Sequence, residues 1–295
     1  MKIDPHEKKV LITGATGATG GSAIFELLAR GIPVRALVRK IDQRSDRLSA
    51  QGVEIARGDL SDFESVSQAL KGITATYFVF PIQTSGILEA TAFFAQAAIE
   101  QGVSAIVNMS QISARREAKS VAARNHWIGE RLLDRSGIPV THLRPTFFAE
   151  WLAYHASTIR EKSVLSLPFG NGRYAPIAAE DQGRVIAAIL ADPKSHAGKV
   201  YPLFGPKEMD EYEIAKILSE ILARPITYIP MEIDAYKLRL KEAGFTPHFI
   251  QHVENVAQDC RDGIFAGTNE LVEQITGTKP LTINQYIEKN RALFA

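Results

Sequence analysis

Three glycines at a spacing of three, Gly14, Gly17 and Gly20, stand directly after the apolar run Val10-Leu11-Ile12-Thr13 and before a stretch with helical apolar spacing. Strand, glycine turn and helix in that order make a cradle for a pyrophosphate. Gly14 permits the tight turn, Gly17 lets the backbone approach the phosphates, and Gly20 lets the helix sit close on the strand. The helix then offers free N–H groups and the positive end of its dipole to the anion, with Thr13, Thr16, Ala18 and Thr19 filling out the loop.

The second strand bears on which dinucleotide is held. A carboxylate at its end would hydrogen-bond a ribose 2′-hydroxyl, but here the chain reads Ala36-Leu37-Val38-Arg39-Lys40. A guanidinium can chelate a 2′-phosphate that a carboxylate would repel, so the cofactor expected is NADP(H), with Arg39 as its selector. Lys40 and Arg44 are either helpers or solvated loop charges. After the third strand comes Gly58-Asp59-Leu60. Asp59 and Leu60 lie beside the adenine, or else Asp59 caps the helix that starts at Ser61.

Such a turn needs a parallel sheet to hold it. From residue 8 to 144, short β-branched runs alternate with helical-period segments, the pattern of repeated βαβ units. Strands are expected at residues 10–13, 34–38, 53–56, 76–80, 105–109 and 140–143. Helices between them are marked by Ile24, Leu27 and Leu28 before Gly31, and by Val66 and Leu70 before Gly72. The fold class expected is α/β, a Rossmann-type doubly wound parallel sheet with a smaller, mainly helical C-terminal lobe. After Pro145 the alternation loosens into a helix near 148–160, a turn-rich stretch at 167–174, a helix at 185–190 and an edge strand at 200–204. Residues 210–295 read as mostly helical with one short strand near 226–229. The division expected is an NADP-binding domain over 1–150, with 180–205 returning to it, and a substrate-binding lobe over 151–295.

Composition narrows the class. The 295 residues are 45% hydrophobic and 23% charged, the usage of a globular protein with a sizeable core, which argues against disorder and coiled coils. A net charge of +1 supplies no field to gather a nucleic acid backbone. No apolar run approaches the roughly 20 residues that span a bilayer, and residues 1–9 lack the apolar stretch of a signal peptide. A cytoplasmic location away from membranes is expected. The single cysteine, Cys260, can form no internal disulfide and reads as inert.

The run 13–20, Arg39, Gly58-Asp59-Leu60, the segment His126-Trp127-Ile128-Gly129-Glu130-Arg131 and the stretch Ser136-Gly137-Ile138-Pro139-Val140-Thr141-His142-Leu143-Arg144-Pro145 together resemble the atypical short-chain dehydrogenases. Within them the chain is most similar to the NmrA-like branch, which includes type-2 quinone oxidoreductases and triphenylmethane reductase. The resemblance covers essentially the whole chain. It implies NADP(H), a cleft at the carboxyl ends of the strands, and hydride transfer to a small-molecule acceptor such as a quinone, a dye or an activated carbonyl. It also implies that the tyrosine of ordinary short-chain dehydrogenases is dispensed with. By chain position, Phe80 and Pro81, Met109, Pro145 and Phe148 flank the nicotinamide. Ser110 stands where the family's substrate-polarising serine or threonine comes, although strand ends also carry serine for turn chemistry. The chain departs from related ones at Glu150, where they often carry asparagine. A rival reading in the same branch is a protein that senses NADP(H) without turnover, and a homodimer is left open.

His126 and Glu130 lie one turn apart on one helical side, flanked by Ala122 and Leu133. A carboxylate beside an imidazole favours imidazolium, a proton donor near neutral pH. The same pair is equally a helix-surface hydrogen bond. Tyr212-x3-Lys216 matches the usual catalytic spacing but lies opposite Ile214, Ile217, Leu218 and Ile221, so it reads as a solvent-facing decoy. Gln83, Trp151, Tyr154 and Tyr174 are candidates to line a pocket for a flat apolar acceptor, or belong in part to the lobe core. His248-x3-His252 has metal-ligand spacing without a third ligand, so it reads as a solvated helix face and no metal is expected. His142 reads as packing at a strand edge.

Overall fold

The structure, a computed structural model, describes residues 9–295. The stretch inspected above for a signal peptide lies, Lys9 apart, outside the described residues. Among the described residues nine strands occur in chain order: β1 (Val10–Ile12), β2 (Val34–Val38), β3 (Glu54–Arg57), β4 (Ala75–Phe78), β5 (Ala105–Met109), β6 (Val140–Pro145), β7 (Val164–Leu165), β8 (Val200–Leu203) and β9 (Thr227–Tyr228). Seven of them form one parallel sheet in the order β3-β2-β1-β4-β5-β6-β8, with Val10 opposite Val34 on one side and Ala75 on the other. This is the doubly wound sheet expected, with the 200–204 strand on its edge.

Parallel neighbours need a crossover after each strand. These are α1 (Ala18–Ala29), α2 (Gln43–Ala50), α3 (Phe63–Leu70), α4 (Ile87–Glu100) and α5 (Val121–Asp134). Because helices cover both faces, the strands bury alternate residues on opposite sides and read as continuous apolar runs. Val10, Ile12 and Tyr77 pack with Ile24 and Leu27 of α1, whereas Leu11 and Phe78 pack with Val66, Leu70 and Phe94 on the other face. His142, expected at a strand edge, is instead on a strand flanked on both sides. Its Nδ1 is 3.0 Å from Asn108 Nδ2 and its Nε2 is 2.9 Å from Asp134 Oδ1.

After β6 the chain forms a short 3-10 helix, Ala149–His155, then α6 (Ala156–Lys162), where one helix was expected. α7 (Ala179–Ala191) packs Val185, Ile186 and Ile189 against the α1 face of the sheet. After a short 3-10 helix, Pro193–His196, the remaining helices are α8 (Glu211–Leu222), α9 (Ile233–Glu242), α10 (Pro247–Arg261), α11 (Leu271–Thr276), α12 (Ile283–Lys289) and α13 (Arg291–Phe294). β7 pairs with β9 in a separate two-stranded sheet. β9 falls within the strand expected at 226–229, whereas β7, equally short, was not foreseen. A core built on Phe147, Phe169, Leu218, Tyr228 and Val253 unites these elements.

α10 is tied to the start of α5. Arg115 donates two hydrogen bonds to Asp259 at 2.8 and 2.5 Å, and the Gln251 side chain spans Lys119 O at 2.9 Å and Val121 N at 3.0 Å. Cys260 is buried on this helix, and burial pushes its thiol pKa up, in keeping with an inert side chain. Among the described residues no helix is long and apolar enough to cross a membrane.

Candidate active site

The strand order reverses between β1 and β4, so the connecting segments diverge there and leave a crevice at the carboxyl ends of the strands. Thr13 ties the two strand ends together: Val79 N–H donates to Thr13 Oγ1 at 2.8 Å, and that hydroxyl lies 3.2 Å from Val79 O. Gly14 follows at φ +59°, a left-handed conformation that side chains disfavour. A Cβ on Gly20 would sit 2.4 Å from Gly14 O, so the helix approaches the turn too closely for any other residue. Gly17 is the N-cap of α1 and brings no side chain to cap it, which leaves the first amides of the helix free of a side-chain acceptor. Thr19 Oγ1 is 3.2 Å from the buried Tyr77 hydroxyl.

A cleft of about 700 Å³ starts at this turn, lined by Thr13, Gly14, Thr16, Gly17 and Thr19. It passes Arg39, Asp59 and Leu60 at one end and Phe80, Pro81 and Gln83 at the other. Arg39 is exposed and has no ion-pair partner among the described residues, whereas Arg44 on the same wall is held by Asp42 at 2.6 Å. Lys40 is exposed and off the cleft wall. Asp59 Oδ1 accepts from Ser61 N at 3.0 Å and Ser61 Oγ at 2.8 Å. Those bonds, and then the Arg39 charge, hold its carboxyl below the usual range. The cap of α3 is Asp62, which accepts from Glu64 N at 3.1 Å. Asp59 therefore orders the preceding turn and lines the cleft without capping the helix.

An inner pocket of about 230 Å³ opens beside the cleft and shares Val79, Phe80 and Pro81 with it. Met109, Ser110, Pro145, Phe148 and Trp151 line it, His126 enters from α5, and His252 and Val256 close it from α10. Among the described residues, Ser110 Oγ, Gln111 Nε2 and Thr146 Oγ1 are buried here without a protein hydrogen-bond partner. Buried polar atoms left so are costly, and three around one pocket point to a ligand that completes them. Beyond Trp151 lies a second cavity, reached by Gln83 and Tyr154.

Residues 6–266 match the model of the NmrA-like family. The chain belongs to that family. It is 28% identical over 287 residues to the NAD(P)H azoreductase of Xenophilus azovorans, covering 97% of this chain and 99% of that one. The NADPH complex of the NADPH-dependent quinone oxidoreductase from Escherichia coli has the same fold, with a TM-score of 0.86 at 23% identity over 96% of this chain and 99% of the other. The NADP(H) complex of Citrobacter sp. triphenylmethane reductase follows with a TM-score of 0.83 at 23% identity, covering 95% and 99%.

Several expectations for this NmrA-like chain need correction. His126 and Glu130 do not form an acid–base couple. Burial pushes the His126 imidazole down to about 4, and the opposing pull of Glu130 is weaker, so the ring is neutral where imidazolium was expected. Glu130 is fully buried and turns its carboxylate to Arg144, which donates from Nε at 2.8 Å and Nη2 at 2.5 Å. Tyr174 lines neither the cleft nor the inner pocket. Its hydroxyl donates to Glu211 Oε1 at 2.5 Å inside the lobe core, with its ring edge-on to Phe147 at 4.9 Å. Glu150 accepts from Ala179 N at 3.0 Å and so caps α7. Tyr212 and Lys216 are exposed, as read.

The site residue that sequence reading dismissed is His252. It is 5% exposed, hydrogen-bonded through Nδ1 to Ser120 Oγ at 2.9 Å, and pushed down to about 3 by burial and then by the charges of His126 and His248. A signal was present: Phe249, His252, Val253, Val256 and Cys260 form one buried helical stripe, and His252 lies inside it. Gln111 and Thr146 had only a positional signal, next to Ser110 and Pro145 at the strand ends, because polar residues after strands are commonplace in turns.

Proposed function

We propose that this NmrA-like protein is an oxidoreductase that binds NADP(H) in the cleft and passes hydride to a flat acceptor, a quinone or a dye, in the inner pocket. The observation that carries this reading is continuity: an uncapped helix start, an arginine unpaired among the described residues and a largely apolar pocket with a few unpartnered polar groups are joined by one set of shared wall residues. The relatives named azoreductase, quinone oxidoreductase and triphenylmethane reductase are all named for the reduction of conjugated small molecules.

The residues present fit the cofactor. The turn from Gly14 to Thr19 with Gly20 behind it would hold the pyrophosphate on α1, Arg39 the 2′-phosphate, and Asp59 and Leu60 the adenine side. Phe80, Pro81, Met109, Pro145 and Phe148 would enclose the nicotinamide. When bound, NADPH supplies the hydride. Ser110, Gln111 and Thr146 bring hydrogen bonds that orient the reacting groups. His126 and His252, both neutral at pH 7, polarise an acceptor oxygen or nitrogen by hydrogen bonding, and solvent delivers the proton. α10 closes one wall of the pocket and leaves its mouth open to that solvent.

Fluorescence titration with NADPH and NADH, continued as NADPH oxidation across quinones, dyes and aldehydes, tests the assignment. Tight NADPH binding with turnover is expected, and His126→Ala should lower that turnover with cofactor affinity nearly intact. Failure to bind NADPH would overturn the reading. Binding without turnover of any acceptor would replace the reductase with an NADP(H) sensor, a reading favoured by one observation: no tyrosine lines the inner pocket among the described residues.

A further inference from the structure

The cavity on the far side of Trp151 holds about 200 Å³ and is walled mainly by Tyr154, Tyr236, Leu240 and Phe249. It and the inner pocket are each smaller than the roughly 300–1,000 Å³ of an ordinary small-molecule site, and the pair together reach that range. Trp151 belongs to both walls, so the two cavities abut at its indole.

Two polar side chains in this second, aromatic cavity lack partners. Arg239 of α9 forms no ion pair and no side-chain hydrogen bond among the described residues. Other arginines around the site are satisfied: Arg44 by Asp42, Arg115 by Asp259 and Arg144 by Glu130. His155 is 4% exposed, and its Nδ1 is buried without a protein partner. Burial, and then the charge of Arg239, hold His155 down to about 4, so the ring is neutral and lies within the field of the guanidinium. A neutral imidazole can place its hydrogen on either nitrogen, and a guanidinium presents a planar fork that matches a carboxylate or sulfonate.

Resting on the reductase reading above, we infer that the acceptor is an aromatic acid whose reducible ring occupies the inner pocket and whose carboxylate or sulfonate, at the other end, sits against Arg239 and His155. The second cavity thus selects among acceptors by charge, while the inner pocket accepts any flat ring.

The test compares 2-naphthoate with its neutral isostere 2-naphthamide by isothermal titration calorimetry on the NADP+-treated protein. In parallel, the KM values of 2-(4-carboxyphenyl)-1,4-naphthoquinone and its carboxamide are compared in NADPH oxidation. Arg239 is half-exposed, so a gap of about tenfold in favour of each anion is expected, the low end for a charge-assisted hydrogen bond. Arg239→Gln should close that gap in both assays, and it removes no bond the fold uses. Equal binding of naphthoate and naphthamide by the wild type, or a gap that survives Arg239→Gln, overturns the anion site. A protein that prefers naphthoate but reduces neither quinone keeps the anion site and overturns the reductase, so the two failures are separable.

Discussion

Glu130→Gln keeps the shape of the side chain and removes the charge from an ion pair behind the inner pocket. In the wild type the Glu130 side chain is 0% exposed and takes both hydrogen bonds of an Arg144 fork, whose own side chain is 23% exposed. Removing one partner of a buried pair costs about 3–5 kcal/mol, because the other charge stays behind uncompensated. Water can reach part of Arg144, which puts the expected loss near the low end, about 3 kcal/mol. Against a total of roughly 5–15 kcal/mol the fold survives, and the urea midpoint should fall by about 1 M. Unfolding followed by circular dichroism reads the loss, with NADPH affinity and turnover measured alongside in the absence of denaturant. Arg144→Met on the same background should recover part of the stability, since it removes the guanidinium that Glu130→Gln leaves uncompensated. An unfolding curve equal to wild type together with a hundredfold drop in turnover would refute the assignment, and would return Glu130 to the chemistry its spacing from His126 suggests.

Three further outcomes follow from the same geometry. Arg39→Glu should weaken NADPH binding by about tenfold or more and leave NADH nearly unaffected, as read by fluorescence titration; equal losses for both would remove Arg39 from 2′-phosphate selection. Gly17→Ala should fold, because its Cβ meets only Gly14 O at 3.2 Å, yet bind NADPH poorly, whereas Gly20→Ala should yield little folded protein because its Cβ meets that oxygen at 2.4 Å. Reversed phenotypes in expression and binding would contradict this division. His252 titrates near 6.5 when unfolded and near 3 when folded, so the unfolded chain takes up the proton first and stability is lost as pH falls below about 6.5. His252→Asn should therefore flatten the drop in unfolding free energy between pH 7 and pH 5 by about 2 kcal/mol, and an unchanged slope would show that the imidazole is solvated.

The glycine turn, the parallel sheet and the place of Arg39 on the cleft wall were legible in the chain because each rests on local rules. A left-handed turn needs Gly14, a buried parallel strand needs an unbroken apolar run, and the charge at the end of the second strand stands next to its own strand. The inner pocket was only half legible. Met109, Ser110, Pro145 and Phe148 lie at or just after strand ends, so topology alone carries them to one rim. Partnerships between side chains far apart in sequence were not. Spacing set Glu130 against His126, but the carboxylate found Arg144, fourteen residues on, because a buried charge goes to the nearest cation that can desolvate with it. Tyr174 found Glu211, and Glu150 found the bare start of α7. His252 sat in view as a metal-spaced surface histidine until α10 folded back over α5 and excluded water from both imidazoles. Periodicity along the chain determines which elements form and how they stack. Which polar groups are left buried and unpartnered, and therefore free to meet a ligand, depends on the docking of distant helices, and only the tertiary structure decides it.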